Sequence, residues 1–298
     1  MSVRIHIGAH KTATTHLQKA FSQARPALAE RNFGYAGPGR LRAGGCNLAD
    51  CLREPGKPSD NSRLMAQRLQ KWRADHADLL ISEENILGGT RKQAVFGDAG
   101  ELYPRAVPRL RYLLTLLNRP RATVFLSVRD PAQFAVSSFF QQLVGMKEVT
   151  VEDYLEGIDV TRLHWSGLVA RISAMPSVSR VVVWRFEDYP ALRPRLNARL
   201  TRPDLAPLIP DPAPNNTSMS QEAYDLFVSR AIRDLQTPLK KLLRDAMEEL
   251  PKGPGRPGLR PLDEALYRAS AENYARDIDR IAALPGVELL RPDAAQAG

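Results

Sequence analysis

Gly8, Lys11 and a run of threonines lie between an apolar segment and a helical pattern, an arrangement that suits an anion. The β-branched segment 3–7 ends at Gly8, and a helical spacing of apolar residues begins at Thr14. Backbone N–H groups at the start of a helix lack partners within it, and the helix dipole favours negative charge there. Lys11 adds a full positive charge, and the threonines add hydroxyl donors. The segment therefore predicts a phosphate-binding loop.

This loop differs from the nucleotide-binding loop of P-loop NTPases. Their pattern is G-x-x-x-x-G-K-[ST], in which a second glycine precedes the lysine. Here His10 precedes Lys11, and Gly8 lies only three positions before that lysine. The NTPase pattern is not met.

A second candidate anion site follows the apolar segment 122–128, which predicts a strand. Arg129 comes at its end, Pro131 suits the first turn of a helix, and Ser137 lies about two turns further along. The carboxyl ends of parallel strands share one edge of a sheet, and ligands bind at that edge. We therefore expect both sites to face one crevice and to bind a ligand with two separated anionic groups.

Both segments resemble the nucleotide-binding motifs of sulfotransferases. Residues 5–18, IHIGAHKTATTHLQ, are similar to the family's 5′-phosphosulfate loop, which is close to G-x-x-K-[ST]-[GA]-T-T followed by a hydrophobic residue and Gln. The run from Arg129 to Ser137 is similar to its 3′-phosphate motif, R-x-P-x-x-x-x-x-S. Ala13 stands where glycine is commoner in the family.

Weaker similarities extend the resemblance over most of the chain. Three segments resemble strand ends and a helix entry of bacterial carbohydrate-type members, in family order: LISEEN at 80–85, RFEDY at 185–189 and NTSMS at 216–220. Phe186 replaces a commoner tyrosine, and the C-terminal K-G-x-x-G motif of the eukaryotic cytosolic type is not evident. We expect structural roles for Glu187 and Asp188.

The resemblance implies transfer of a sulfuryl group from 3′-phosphoadenosine 5′-phosphosulfate (PAPS) to a hydroxyl or amine, with release of adenosine 3′,5′-bisphosphate (PAP). It implies that Lys11 neutralises charge on the bridging oxygen as the bond to PAP breaks. The residues implied to bind the nucleotide are Gly8, Lys11, Thr12, Ala13, Thr14 and Thr15 at the 5′ side, and Arg129 with Ser137 at the 3′ side, with Ser138 as the alternative if the helix register differs. We expect no metal requirement. The acceptor is expected to be a saccharide or glycoconjugate, with a polysaccharide, a lipid-linked sugar and a small metabolite all left open.

Two adjacent carboxylates follow the predicted strand 79–82 and are candidates for the catalytic base. A base near the donor loop would take a proton from the acceptor. Glu84 is the favoured residue, because it precedes Asn85 as the family glutamate does, and strand alternation would turn Glu83 to the opposite face. His10 is the alternative base or a contact to the sulfuryl group.

Three other functions compete with this interpretation. The strand before Glu83 and Glu84 superficially resembles a Walker B strand, which would fit a Mg-dependent P-loop kinase acting on a nucleotide or small molecule. A net charge of +9 would fit nucleic-acid binding, but 7% aromatic residues and no recognisable nucleic-acid motif leave only charge in its favour. A non-catalytic PAP-binding protein is the third alternative. We expect no nucleic-acid partner.

The composition is that of an ordinary folded protein. Of 298 residues, 43% are hydrophobic and 25% charged, which disfavours disorder, collagen and coiled coil. No apolar stretch approaches the roughly 18 residues of a membrane-spanning helix, so we expect a cytoplasmic protein without a transmembrane segment. Cys46 and Cys51 have no neighbouring Cys or His to complete a metal site, which favours two reduced thiols. Arginine makes up 33 of the 42 basic residues and favours anionic ligands.

The elements that must position these residues alternate between strands and helices. Predicted strands at 3–7, 79–82, 122–128 and 180–186 are separated by helical patterns, which predicts an α/β fold of three layers, P-loop-like, with a central parallel sheet flanked by helices. The Gly- and Pro-rich segment 34–61 predicts an ordered loop or a mobile lid. A single domain is expected over 1–298, with an α/β core at 1–200 and a mostly helical extension at 201–298. Within this extension, the segment 251–261 is rich in helix-breaking residues.

Overall fold

The chain is built around a parallel β-sheet. The computed structural model describes residues 2–97, 100–147, 150–213 and 218–293. Within these ranges the sheet has six strands, which are β1 (Ser2–His6), β2 (Phe33–Ala36), β3 (Asp78–Ser82), β4 (Ala122–Val128), β5 (Val178–Arg185) and β6 (Val287–Leu290). Their order is β2-β3-β1-β4-β5-β6, and every neighbouring pair is parallel. The strand that leads into the first loop therefore lies inside the sheet, between the strands that carry Glu84 and Arg129.

Helices cover both faces of the sheet. They are α1 (Thr14–Glu30), α2 (Pro38–Leu41), α3 (Leu48–Cys51), α4 (Asp60–Ala74), α5 (Lys92–Val95), α6 (Ala106–Leu116), α7 (Pro131–Val144), α8 (Val151–Leu155), α9 (Ser166–Ser173), α10 (Tyr189–Leu200), α11 (Gln221–Arg233), α12 (Leu239–Glu249) and α13 (Glu264–Ala282). Leu80 and Phe125 pack in a core with α1 and α10, while their neighbours Ile81 and Val124 belong to a larger core with α4, α6, α7, α9 and α13. Strands buried on both faces read as continuous apolar runs, as these do. The expected three-layer, P-loop-like α/β class is confirmed.

The two edge strands are not predicted by the sequence patterns. β2 and β6 have four residues each, and β2 contains Gly34, a residue type depleted in strands. An added Cβ at Gly34 would lie 2.9 Å from the ring of His76, so close packing selects the glycine. Both short strands are defined by pairing with a long, buried neighbour rather than by their own pattern.

The segment 34–61, expected as a loop or lid, is an ordered layer beside β3. It contains the end of β2 and the short helices α2 and α3, with Leu41, Leu48 and Leu52 fully buried. Cys46 and Cys51 are free, buried thiols whose Sγ atoms lie 4.0 Å apart. This packing brings Arg42 to the carboxyl end of β3.

The C-terminal segment contributes to the sheet as well as to the helical layer. It contains α11, α12 and α13, and it ends in β6, which was not expected in a mostly helical extension. Helix α13 packs against α7 and α9. Asn216 and Thr217, part of the predicted helix entry, lie outside the described residues, whereas Ser220 caps α11 by accepting a hydrogen bond from Ala223 N at 3.1 Å.

Hydropathy gives one further finding. Among the helices of the described residues, none is both long enough and apolar enough to cross a membrane.

Candidate active site

The loop between β1 and α1 turns through two residues in the left-handed backbone region. These are Lys11, with φ 64°, and Ala13, with φ 60°. Left-handed residues in a short loop turn successive N–H groups toward one concave side, the geometry of anion-binding nests. Glycine adopts this conformation without steric cost, so the glycine common at position 13 in the resembled family has a physical explanation here.

Two predicted hydroxyl ligands support the loop from inside. Thr12 Oγ1 donates a hydrogen bond to Ala9 O at 2.6 Å, and Thr14 Oγ1 donates to the same carbonyl at 3.3 Å. Both threonines are buried, whereas Thr15 is exposed. Because a hydroxyl has one donor, Thr12 and Thr14 can offer an anion only their backbone N–H groups while these bonds persist.

Gly8 allows a close approach of backbone to side chains. An added Cβ would lie 2.5 Å from Thr14 Oγ1 and 2.9 Å from His6 Nε2. His6 is buried below the loop, and its Nδ1 lies 2.8 Å from Ser82 Oγ. Burial lowers the pKa of His6 to about 4, so a neutral imidazole fills this space.

Arg129 reaches from the end of β4 to the loop. Its Nη1 donates to Lys11 O at 3.1 Å, and its guanidinium carbon lies 4.6 Å from the centre of the Phe186 ring. Its Nε is buried and has no hydrogen-bond partner among the described residues. Burial lowers the pKa of Arg129 and of Lys11, and the charge of Arg129 lowers the pKa of Lys11 further. Neither cation forms a salt bridge within the described ranges, so two neighbouring positive charges are left without a bonded carboxylate.

Glu187 and Asp130 shape the backbone around Arg129. Asp130 N donates to Glu187 Oε1 at 3.0 Å, and Asp130 Oδ1 accepts from Gln133 N at 3.0 Å, which caps α7. Their negative charges partly offset the effect of burial on the pKa of Arg129. Glu187 thus has a structural role in this corner, as expected from the sequence.

A cavity of about 260 Å³ lies beside Lys11 and Arg129. Ser137 lines it, whereas Ser138 is buried in α7 and does not. The cavity has two further cations in its lining, Lys252 and Arg260, which sequence analysis did not assign to the site. The sequence feature that could have indicated them is the combination of basic residues and glycines in the Pro- and Gly-rich segment 251–261. Glycine lets a backbone approach a ligand closely.

The carboxylates after β3 are already paired. Glu83 is fully buried and accepts from Arg42 at both oxygens, from Nη2 at 2.6 Å and from Nε at 2.9 Å. Arg42 Nη2 also donates to Glu84 Oε1 at 3.0 Å, and Gln18 Nε2 donates to Glu84 Oε2 at 2.8 Å. Arg42 had not been predicted as part of the site, because the ion pairs depend on how the 34–61 segment packs.

These partners set the protonation of Glu84. Burial raises its pKa, but the hydrogen bonds from its own backbone and from Gln18 and the nearby charge of Arg42 lower it, and the net pKa is lowered. The pKa of Glu84 is therefore below its usual value, and the side chain is a carboxylate at neutral pH.

His10 is buried between β3 and the loop that precedes α6. Its Nδ1 lies 2.9 Å from Tyr103 Oη, and its Nε2 lies 3.4 Å from Asn85 Oδ1. Asn85 Nδ2 donates to Glu83 Oε1 at 2.7 Å, which fixes the amide so that its oxygen faces His10. Nε2 must therefore carry the proton, and burial lowers the pKa of His10, which keeps it neutral. In this arrangement His10 donates to Asn85; its role as a base stays a prediction.

Comparisons with known proteins add little to this geometry. No model of a known protein family matches the chain, and no curated protein matches it. One solved structure, a GTPase from Pyrococcus abyssi in its apo form, aligns with 64% of this chain and 95% of its own at 15% identity, with a TM-score of 0.24. A TM-score this low gives no basis for assigning a function to this chain.

Proposed function

We propose that this protein is a PAPS-dependent sulfotransferase. The observation that carries the proposal is the pair formed by Lys11 and Arg129, two largely buried cations without a carboxylate partner among the described residues, in which Arg129 Nη1 donates to the backbone carbonyl of Lys11 at 3.1 Å. Leaving buried charge unpaired costs free energy, and an anionic ligand would offset that cost. A nucleotide with separate 5′ and 3′ anionic groups fits this pair.

The surroundings fit the phosphate-bearing part of such a nucleotide. The loop would bind the 5′-phosphate through backbone N–H groups, and Arg129 with Ser137 would bind the 3′-phosphate. Lys252 adds positive charge to the same cavity, which is also lined by Arg260, an arginine that pairs with Glu264 at 2.8 Å. Ligand cavities usually measure about 300–1,000 Å³, so a cavity of about 260 Å³ would enclose only part of the nucleotide.

The chain's residues would act mainly by position and charge. PAPS would supply the sulfuryl group, and its transfer is expected to pass through a loose transition state, as phosphoryl transfer does. Lys11 would then stabilise negative charge that grows on the bridging oxygen as the bond to PAP breaks. A sulfuryl group carries less charge than a phosphoryl group, which is why we expect no metal requirement.

Glu84 would orient the acceptor and accept its proton. In a loose transition state the bond to the nucleophile is only slightly formed, so the proton becomes acidic late. A carboxylate of low pKa is sufficient for that late transfer. Gln18 and Arg42 each bond one oxygen of Glu84, leaving further lone pairs to meet an acceptor hydroxyl or amine. The acceptor class that we propose is a saccharide or glycoconjugate.

The proposal is tested by calorimetric binding of PAP. We expect micromolar binding by the wild type and a loss of about 30-fold in Arg129→Ala, since hydrogen bonds to charged groups contribute about 1.5–3 kcal/mol. Arg199→Ala is the matched control, because this exposed arginine pairs with Glu288 and does not line the cavity. A screen of saccharide acceptors with labelled PAPS then tests transfer.

Three results would contradict the proposal. Absence of PAP binding below about 1 mM would remove its basis. ATP turnover that stops with a chelator, without transfer from PAPS, would favour the kinase. Tight PAP binding with no transfer to any acceptor would favour a non-catalytic PAP-binding protein.

A further inference from the structure

Helix α13 carries three buried polar residues on one face. Ser270, Tyr274 and Asp277 are spaced four and three residues apart, so their side chains lie along one stripe of the helix. Their exposed fractions are 0%, 6% and 2%. None of them lines the cavity beside Arg129. Buried polar residues need partners, and here each partner belongs to the corner that carries Arg129.

Ser270 supports the start of α7. Its Oγ accepts from Ala132 N at 3.0 Å and lies 3.3 Å from Asp130 Oδ2. Asp130 is the residue that caps α7 through Gln133 N. Ser270 therefore ties α13 to the backbone immediately after Arg129.

Tyr274 acts through Glu187. Its hydroxyl donates to Glu187 Oε2 at 3.2 Å, and Glu187 Oε1 accepts from Asp130 N at 3.0 Å. The carboxylate thus bridges the helix to the peptide that joins Arg129 to Asp130. This second connection reaches the backbone at the N–H of Asp130, two residues before the N–H that Ser270 holds.

Asp277 acts through Trp165. Its Oδ2 accepts from Trp165 N at 2.6 Å and from Ser166 N at 3.2 Å, at the start of α9. Trp165 is fully buried, and its Nε1 donates to Arg129 O at 2.7 Å. The third connection therefore reaches the carbonyl of Arg129 itself.

We propose that this face of α13 sets the position of the Arg129 guanidinium and thereby the preference of the site for a nucleotide that bears a 3′-phosphate. The inference rests on the proposed function. Three connections from one helix hold the carbonyl of Arg129, the N–H of Asp130 and the N–H of Ala132, which are the backbone groups that directly follow the Arg129 side chain. The apolar residues Ile278 and Ile281 anchor α13 in the core independently. Ser270, Tyr274 and Asp277 are accordingly positioning residues.

The test compares two nucleotides that differ only in the 3′-phosphate. Affinities for PAP and for adenosine 5′-phosphate are measured by calorimetry with wild type, Tyr274→Phe and Ser270→Ala. We expect each variant to lower the ratio of PAP affinity to adenosine 5′-phosphate affinity by about fivefold, the effect of one lost hydrogen bond. Glu272→Gln, at an exposed position of the same helix, is the control and should leave the ratio unchanged.

A conservative pair of variants adds a second test. Asp277→Asn keeps an acceptor oxygen and should retain the ratio, whereas Asp277→Ala should lower it; if Asp277→Ala does not fold, Tyr274→Phe decides. Equal loss of affinity for both nucleotides would show a merely structural role and overturn the inference. An unchanged ratio in Tyr274→Phe and Ser270→Ala would also overturn it while leaving the proposed function intact. A wild type that does not bind PAP would overturn both.

Discussion

The carboxyl ends of β3 and β4 lie on either side of the same loop. The charged side chains at the β3 end form ion pairs, whereas the arginine at the β4 end does not. At the end of β3, Glu83 and Glu84 are held by Arg42 through three hydrogen bonds of 2.6–3.0 Å. At the end of β4, Arg129 bonds only a backbone carbonyl and keeps a buried Nε without a partner in the described part of the chain. The carboxylates at the β3 end have a bonded cation, whereas the cation at the β4 end has no bonded carboxylate.

This difference separates charges that maintain the fold from charges available to a ligand. Removing one member of a buried ion pair strands the other, so paired charges are expected to matter first for stability. An unpartnered buried cation is a cost to the folded state and is typical of a binding site. Lys11, on the loop between the two ends, belongs with Arg129 in this respect.

The largest effect that we predict follows from removing the loop cation. Lys11→Ala should lower the turnover number for sulfuryl transfer by about 1,000-fold, since loss of one preorganised group that stabilises developing charge costs about 10²–10³ or slightly more. Lys19→Ala, an exposed lysine of α1, is the matched control. Full sulfuryl transfer by Lys11→Ala would show that this lysine does not stabilise the developing charge and would place it with the structural charges.

The second prediction concerns stability and compares one arginine from each end. Arg42→Met should lower the free energy of unfolding by about 3 kcal/mol, because it leaves the buried carboxylate of Glu83 without its main partner. Arg129→Met should leave stability unchanged or raise it, since no carboxylate loses a bonded partner. Urea denaturation of both variants measures the contrast. Equal destabilisation by the two substitutions would contradict the proposed difference between the two strand ends.

The third prediction tests whether the β3 end also works in catalysis. Glu84→Gln should lower turnover by about 100-fold while leaving PAP affinity within twofold, because general base catalysis contributes at least that factor. The pKa of Glu84 is lowered, so the carboxylate persists in acid; the rate of the wild type should therefore fall only as pH drops through a value below the usual pKa of about 4.3. A pH–rate profile measures this fall in rate. A fall near neutral pH would indicate a different base.

The sequence predicted the layers of the fold better than its edges. Long apolar runs such as 122–128 identify buried strands without knowledge of the rest of the chain. β2 and β6 have four residues each and owe their conformation to a neighbour distant in sequence. A local pattern carries no information on such a neighbour.

The site residues likewise include some that the sequence could predict and some that it could not. Gly8, Lys11 and Arg129 could be located because each follows a strand, and strand ends meet at one edge. Arg42 and Lys252 could not, since their positions depend on segments without strong periodicity. The segment of Lys252 is placed by contacts such as Leu259 N to Met219 O at 3.0 Å.

The position of α13 after β5 in the chain has a consequence for synthesis. Arg129 leaves the ribosome well before Ser270, Tyr274 and Asp277, which hold its backbone. A nascent chain that already contains β1 to β5 has the loop and the arginine but lacks the helix that, in our proposal, orients the guanidinium. On the proposed function, competence to bind the 3′-phosphate would be acquired only after α13 has been made, and fragments that stop before residue 264 would lack an ordered 3′ side.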